Sequence, residues 1–169
     1  MEGSIKNFNK HLTYYPSGKL KEEGSFYIDQ IGFDEIEEFK VPVGRWKGWY
    51  EDGREEYIEE FNEKGENDGI FVYWNKNGIK TREWYYKNGE KDGPFKIWFE
   101  NGKKSKETNY KKGKKDGLTY EWFENGILKM KTNFVDGLKN GTHIEWNENG
   151  VKLIEGKFDF GFLISKKQF

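Results

Sequence analysis

Tryptophan recurs at a fixed interval along this 169-residue chain: Trp74, Trp98, Trp122 and Trp146 are 24 residues apart, and Trp49 precedes them by 25. Each stands four residues before a glycine (Gly53, Gly78, Gly102, Gly126, Gly150), and Tyr14 stands four before Gly18. A period of this length marks a repeat array, in which each unit packs mainly against its neighbours. Arrays of this kind present extended surfaces, which puts a binding role ahead of a catalytic pocket.

The glycines supply the frame of the unit. From Gly78 the spacing runs through Gly89 and Gly93 to Gly102, and it recurs from Gly102 to Gly126 and from Gly126 to Gly150. The unit from Gly53 through Gly65 and Gly69 to Gly78 carries one extra residue. Of the 21 glycines, 11 follow Asn or Asp, the dipeptides that most readily adopt the positive φ angles of tight hairpin turns. The runs between them, such as Ile79–Lys87 and Phe95–Glu100, are short and rich in aromatics, which reads as strand rather than helix. The expected fold is all-β: an elongated, single-layer antiparallel β-meander built of 24-residue β-hairpin repeats.

Three columns follow from the alignment of the units. Trp49, Trp74, Trp98, Trp122 and Trp146 form a structural column, expected to stack like on like. Phe26, Tyr86, Tyr110, Phe134 and Phe158 form a second, with Phe61 displaced by the insertion. Glu23, Glu83, Glu107 and Glu155 form a third, with Lys131 in the fourth place. Aligned glutamates repel one another unless compensated, so they are expected to accept hydrogen bonds from turn backbone or from nearby Lys and Tyr.

These residues carry a resemblance. The pattern G-x(4)-E-x-x-[YF]-x-x-G-x(3)-G-x(4)-[WY]-x(3)-G is similar to the bacterial variant of the MORN repeat, and Gly102, Glu107, Tyr110, Gly113, Gly117, Trp122 and Gly126 match it at every position. The resemblance implies a twisted β-meander without a separate core, and a role as an interaction scaffold. Bacterial proteins with this repeat are often labelled antitoxins or immunity proteins, and eukaryotic relatives are often tied to membranes. Three departures stand out: Lys131 in place of Glu, Gly48 where other units have a larger residue, and residues 29–43, which fit no unit. The organisation is one array, with a degenerate first repeat 11–28, an irregular acidic insertion 29–43, regular repeats 44–161 and a C-terminal edge strand 157–169.

Composition narrows the function classes. Hydrophobic residues make up 34% and charged residues 35% of the chain, and mean hydropathy is −1.06. Disorder is excluded by an aromatic content of 18%. With no cysteine there is no disulfide, thiolate metal site or thiol nucleophile. No segment reaches the length of a signal peptide or membrane helix, so the expectation is a soluble, cytoplasmic protein. His11 and His143 fall at unrelated repeat positions, and no nucleophile, base and orienting group come together. No catalytic residue, cofactor or metal site is therefore assigned, and the reading is non-enzymatic. Exposed rings beside the seven lysines of Lys103–Lys115 raise direct nucleic-acid binding, but the lysines flank turns and form no basic groove. Near-neutral charge without an amphipathic helix weighs against a membrane surface.

Charge is unevenly spread. Residues 22–66 hold 15 acidic and 5 basic residues, whereas residues 67–169 hold 14 acidic and 20 basic. The candidate partner site is the irregular segment, where Asp34, Glu35, Glu37 and Glu38 interleave with Phe33, Ile36 and Phe39. Glu55, Glu56, Glu59 and Glu60 on the following strand extend it. Carboxylates for approach and apolar groups for hold suit a basic protein surface, such as a toxin or a nucleic-acid enzyme. The structural reading is an insertion loop or short helix closing the N-terminal edge of the sheet. At the other end, Phe158, Phe160, Phe162 and Ile164 alternate ahead of Lys166 and Lys167, either protecting an edge or pairing with a second copy as a homodimer.

Overall fold

The computed structural model describes residues 6–31 and 37–169. They form a single open sheet. In chain order the strands are β1 (Asn9–Tyr14), β2 (Leu20–Ile31), β3 (Glu37–Trp49), β4 (Glu55–Phe61), β5 (Gly69–Trp74), β6 (Lys80–Lys87) and β7 (Glu90–Trp98). They continue as β8 (Lys104–Lys111), β9 (Lys114–Lys115), β10 (Gly117–Trp122), β11 (Leu128–Val135), β12 (Leu138–Trp146), β13 (Lys152–Asp159) and β14 (Phe162–Gln168). Each pairs antiparallel with the next, except that the short β9 pairs only with β8 and the main ladder passes from β8 to β10. The meander is as the glycine frame predicts, and at the usual strand spacing it extends roughly 55–60 Å. Its accessible surface is 11146 Å², against roughly 8,700 Å² for a compact chain of this mass. That excess is the cost of having one layer.

Two kinds of turn alternate. At Gly18, Gly53, Gly78, Gly102, Gly126 and Gly150 the glycine N–H donates to the carbonyl three residues back, with φ between 76° and 94°. At the opposite side of the sheet lie two-residue turns with both φ values positive: Asn88-Gly89, Lys112-Gly113, Asp136-Gly137 and Phe160-Gly161. These are type I′ turns, whose twist matches that of the flanking strands. Each such glycine N–H also reaches back one unit, to the carbonyl of Asn67, Lys91, Lys115 or Lys139. The extra residue of the second unit converts its I′ turn into the longer form, closed by Gly65 N–H on the Asn62 carbonyl.

Strand alternation gives two different faces. One carries a central row running Phe71, Trp84, Phe95, Thr108, then Thr119, Thr132, His143 and Gly156. Phe71 stacks on Trp84 and Trp84 on Phe95; thereafter the row changes from rings to hydroxyls. Thr119 is wholly buried, and Thr108, Thr132 and His143 nearly so. The core of this single layer is therefore a line of side chains sheltered by the long residues on either side.

The tryptophan column lies on the other face and does not stack like on like. Residues of one column sit two strands apart, roughly 10 Å, beyond the reach of ring contact. Lysines from the intervening strands fill the gaps: Lys80 Nζ is 5.4 Å from the Trp98 ring centre and Lys104 Nζ 5.9 Å from Trp122. The second column behaves alike, with Lys40 over Phe26, Lys115 over Phe134 and Lys139 over Phe158. The repeat thus alternates ring and cation, each pair contributing about 0.5–1 kcal/mol when exposed.

Candidate functional site

Three members of the glutamate column are neutralised from within by lysine, as expected. Glu83 receives Lys80 at 2.6 Å and Lys96 at 3.2 Å, Glu107 receives Lys104 at 2.7 Å, and Glu155 receives Lys152 at 2.8 Å. Burial pushes the Glu83 carboxyl up, but the hydrogen bonds and charges of its two lysines outweigh that and leave it below the ordinary glutamate range. Where Lys131 replaces the glutamate, Leu128 replaces the lysine three residues earlier, and Lys131 lies over Tyr120 instead.

Residues 29–43 are neither a loop nor a helix over their described part; they lengthen a hairpin. In regular units the I′ turn follows one pair after the ring column, as in Lys87 opposite Glu90. Beyond Phe26, β2 and β3 continue pairing through Tyr27–Val41, Ile28–Lys40, Asp29–Phe39, Gln30–Glu38 and Ile31–Glu37. The arm therefore projects roughly 13 Å past its neighbours. Its base is braced by the Asn62–Glu66 turn, where the Tyr27 hydroxyl reaches the Lys64 carbonyl. It lies one strand in from β1 rather than closing the edge.

The predicted partner residues on β4 divide between two faces and two ends of the strand. Phe33, Asp34, Glu35 and Ile36 lie outside the described residues. Glu37 and Glu38 are on the β3 side of the arm, and Phe39 beside them is exposed. On β4, Glu60 sits near the arm, held by Arg45 at 2.5 Å and by the Ile70 N–H at 2.9 Å. Glu59 accepts the Tyr73 hydroxyl on the opposite face. Glu55 and Glu56 are at the far end of β4, roughly 15 Å from Glu60, and alternation points them to opposite faces. Two of the four β4 glutamates are thus engaged in the sheet itself.

The structure adds a residue that the pattern did not single out. Glu22 accepts the Tyr57 hydroxyl from two strands away and contacts His11 Nε2 at 2.8 Å. The Tyr57 ring crosses β3 at Gly48, where a β-carbon would stand 2.2 Å from the ring. Trp46 crosses β2 in the same way at Gly24, which brings its ring to 4.8 Å from that of His11. Gly48 departs from the repeat because a ring lies across it.

These half-buried phenols are expected to make the fold alkali-sensitive. Burial first, then the hydrogen bond and charge of Glu22, pushes Tyr57 far above the ordinary tyrosine value, and Glu59 acts likewise on Tyr73. Above that ordinary value the unfolded chain loses phenolic protons that the fold retains. Stability is therefore full below about pH 10 and falls as pH rises further. Urea midpoints are expected to drop across that window, and the Tyr57→Phe, Tyr73→Phe double variant to show a flatter profile.

One trio, of which Thr132 and His143 are buried, has the composition of a catalytic relay. Thr132 Oγ1 is 2.6 Å from His143 Nδ1, and His143 Nε2 is 2.8 Å from Glu145 Oε1. A carboxylate only accepts, so Nε2 donates to Glu145, and in the neutral imidazole Nδ1 accepts from Thr132. The Thr132 hydroxyl belongs to a residue 1% exposed, so no substrate reaches it and the trio is structural. Among the described residues no cluster of three His, Cys, Asp or Glu is placed to hold a metal. No helix among them is long and apolar enough to cross a membrane. In the lysine run, Lys104 and Lys106 are paired with Glu107 and Glu121, Lys103 caps the Asn125 carbonyl, and Lys115 covers Phe134.

No curated protein matches the chain. A family model described as a MORN repeat variant matches residues 9–29, 91–112 and 115–136. MORN repeats are protein- or membrane-binding modules. The matched stretches are joined by one continuous antiparallel meander, and the chain carries MORN-variant repeats at these three stretches.

Proposed function

We propose that the chain is a non-enzymatic protein-binding module of the antitoxin or immunity type, acting as a steric inhibitor. The observation that carries this reading is the β2–β3 arm, which runs past the sheet at the point where the sequence holds the acidic run Asp34, Glu35, Glu37 and Glu38. Such a run brings charge for approach to a basic partner, whereas Glu83 and Glu107 of the regular repeats are neutralised by internal lysines. The partner has a basic surface. Where that surface ordinarily holds nucleic acid, the carboxylates take the place of phosphates.

The test is capture of the partner from host extract with tagged protein. Wild type is expected to retain one stoichiometric basic protein, and the Glu35→Lys, Glu37→Lys, Glu38→Lys variant to bind it about tenfold more weakly or worse. Equal affinity of the variant removes the arm as the contact.

A scaffold that self-associates is the second reading, favoured by the exposure of Phe162, Leu163 and Ile164 along β14, the outermost strand of this sheet. Light scattering decides it: a strict monomer at high concentration ends that reading.

A further inference from the structure

At the turn end of β10–β13 lies a groove of about 400 Å³, floored by Phe123, Met130 and Leu153. Its rim carries Glu121, Glu145 and Glu148 against a single cation, Lys129. The repeat itself shows what this groove lacks. Arg82, Lys106 and Met130 occupy equivalent positions 24 residues apart. Arg82 lies over Tyr73 and Lys106 pairs with Glu121 at 2.7 Å, each cation engaging the neighbour on the preceding or following strand. Met130 stands directly between Glu121 and Glu145 in the cross-strand register. Two carboxylates therefore flank an uncharged side chain at a position where the two preceding units hold a cation.

Both carboxylates are oriented from behind. Lys106 holds Glu121, and the buried Thr132–His143 pair holds Glu145. Such preset acceptors over an apolar floor suit a cation on an apolar stem, because the stem covers rings while the charge meets oriented oxygens.

We infer that this groove binds a lysine or arginine side chain presented by a partner protein, which supplies from outside the cation that Lys106 supplies internally one repeat earlier. The site is separate from the β2–β3 arm and stands or falls independently of it.

The test is an NMR titration of the full chain with a capped Gly-Leu-Lys-Leu-Gly peptide, against the same peptide with norleucine for lysine. The lysine peptide is expected to shift the Met130 and Leu153 methyl signals saturably, with Kd on the order of 1 mM. The norleucine peptide is expected to bind about tenfold more weakly, since it lacks the charge. Met130→Lys restores the internal cation and is expected to abolish the titration. Glu145→Gln, whose amide oxygen can still accept from His143, is expected to weaken it about tenfold. Equal binding of the two peptides, an unchanged titration in both variants, or no saturable shift in the wild type overturns the proposal. The Glu37→Lys, Glu38→Lys variant is expected to titrate as wild type, which separates this site from the arm.

Discussion

Replacing Gly48 by valine is expected to lower the unfolding free energy by about 2–4 kcal/mol and Tm by roughly 5–15 °C. Gly48 has an ordinary backbone conformation, so strain in φ is not the cause. A β-carbon there would lie 2.2 Å from Tyr57 Cε1 and 2.7 Å from its neighbours in the ring. The ring cannot yield without giving up its hydroxyl bond to Glu22, and the carboxylate would then lose its donor in a half-buried place. Gly113→Ala is the control: its φ is +75° with nothing within 4 Å of the added carbon, so only backbone strain of about 1–2 kcal/mol applies. The Gly48→Val, Tyr57→Ala pair separates clash from intrinsic cost, because removing the ring removes the collision and the double variant should lose less than the sum. Because an array couples mainly through nearest neighbours, amide exchange should accelerate in β2–β4 while β10–β13 stay protected. Uniform acceleration would show that the sheet unfolds as one unit.

The meander was legible because its determinants are local. Asn-Gly and Asp-Gly set the turns, the interval between turns set the strand length, and the extra residue before Gly65 was visible as a longer turn. Contacts between strands were less accessible, since they depend on register and on distances that a column alignment does not contain. Aligned tryptophans looked like a stack, but two strands separate them and Lys80 and Lys104 stand between. Glu22 escaped notice because its partner Tyr57 is 35 residues away. The clue was Gly48, which breaks the repeat on the strand between them. Trp46 and Trp84 gave another: these two of the seven tryptophans fall outside the 24-residue column, and both lie on the face of the Phe71 row. The run of β4 glutamates did not show its faces, because alternation divides adjacent residues between two faces and Tyr73 and Arg45 engage two of them.

A buried hydroxyl pair offers the second large effect, and the sign of its double variant is its informative part. Thr108 is 2% exposed and Thr119 fully buried, and their Oγ1 atoms are 2.5 Å apart. Thr119→Val keeps the shape of the side chain but leaves the Thr108 hydroxyl without this partner, at an expected cost of about 1–3 kcal/mol. Thr108→Val should cost a similar amount. Replacing both removes the polar pair together, and the double variant is expected to return close to wild-type stability. The same row supports this, since its N-terminal half is filled by Phe71, Trp84 and Phe95 without a hydroxyl. Urea midpoints of the four proteins measure the coupling directly. Additive losses would mean that each hydroxyl is satisfied separately by the surrounding backbone, and that the pair is incidental to the row. A recovered double variant would mean that the hydroxyls serve each other, and that the line through Phe71, Thr108, Thr119 and Thr132 is one continuous core in which rings and matched hydroxyl pairs are interchangeable fillings.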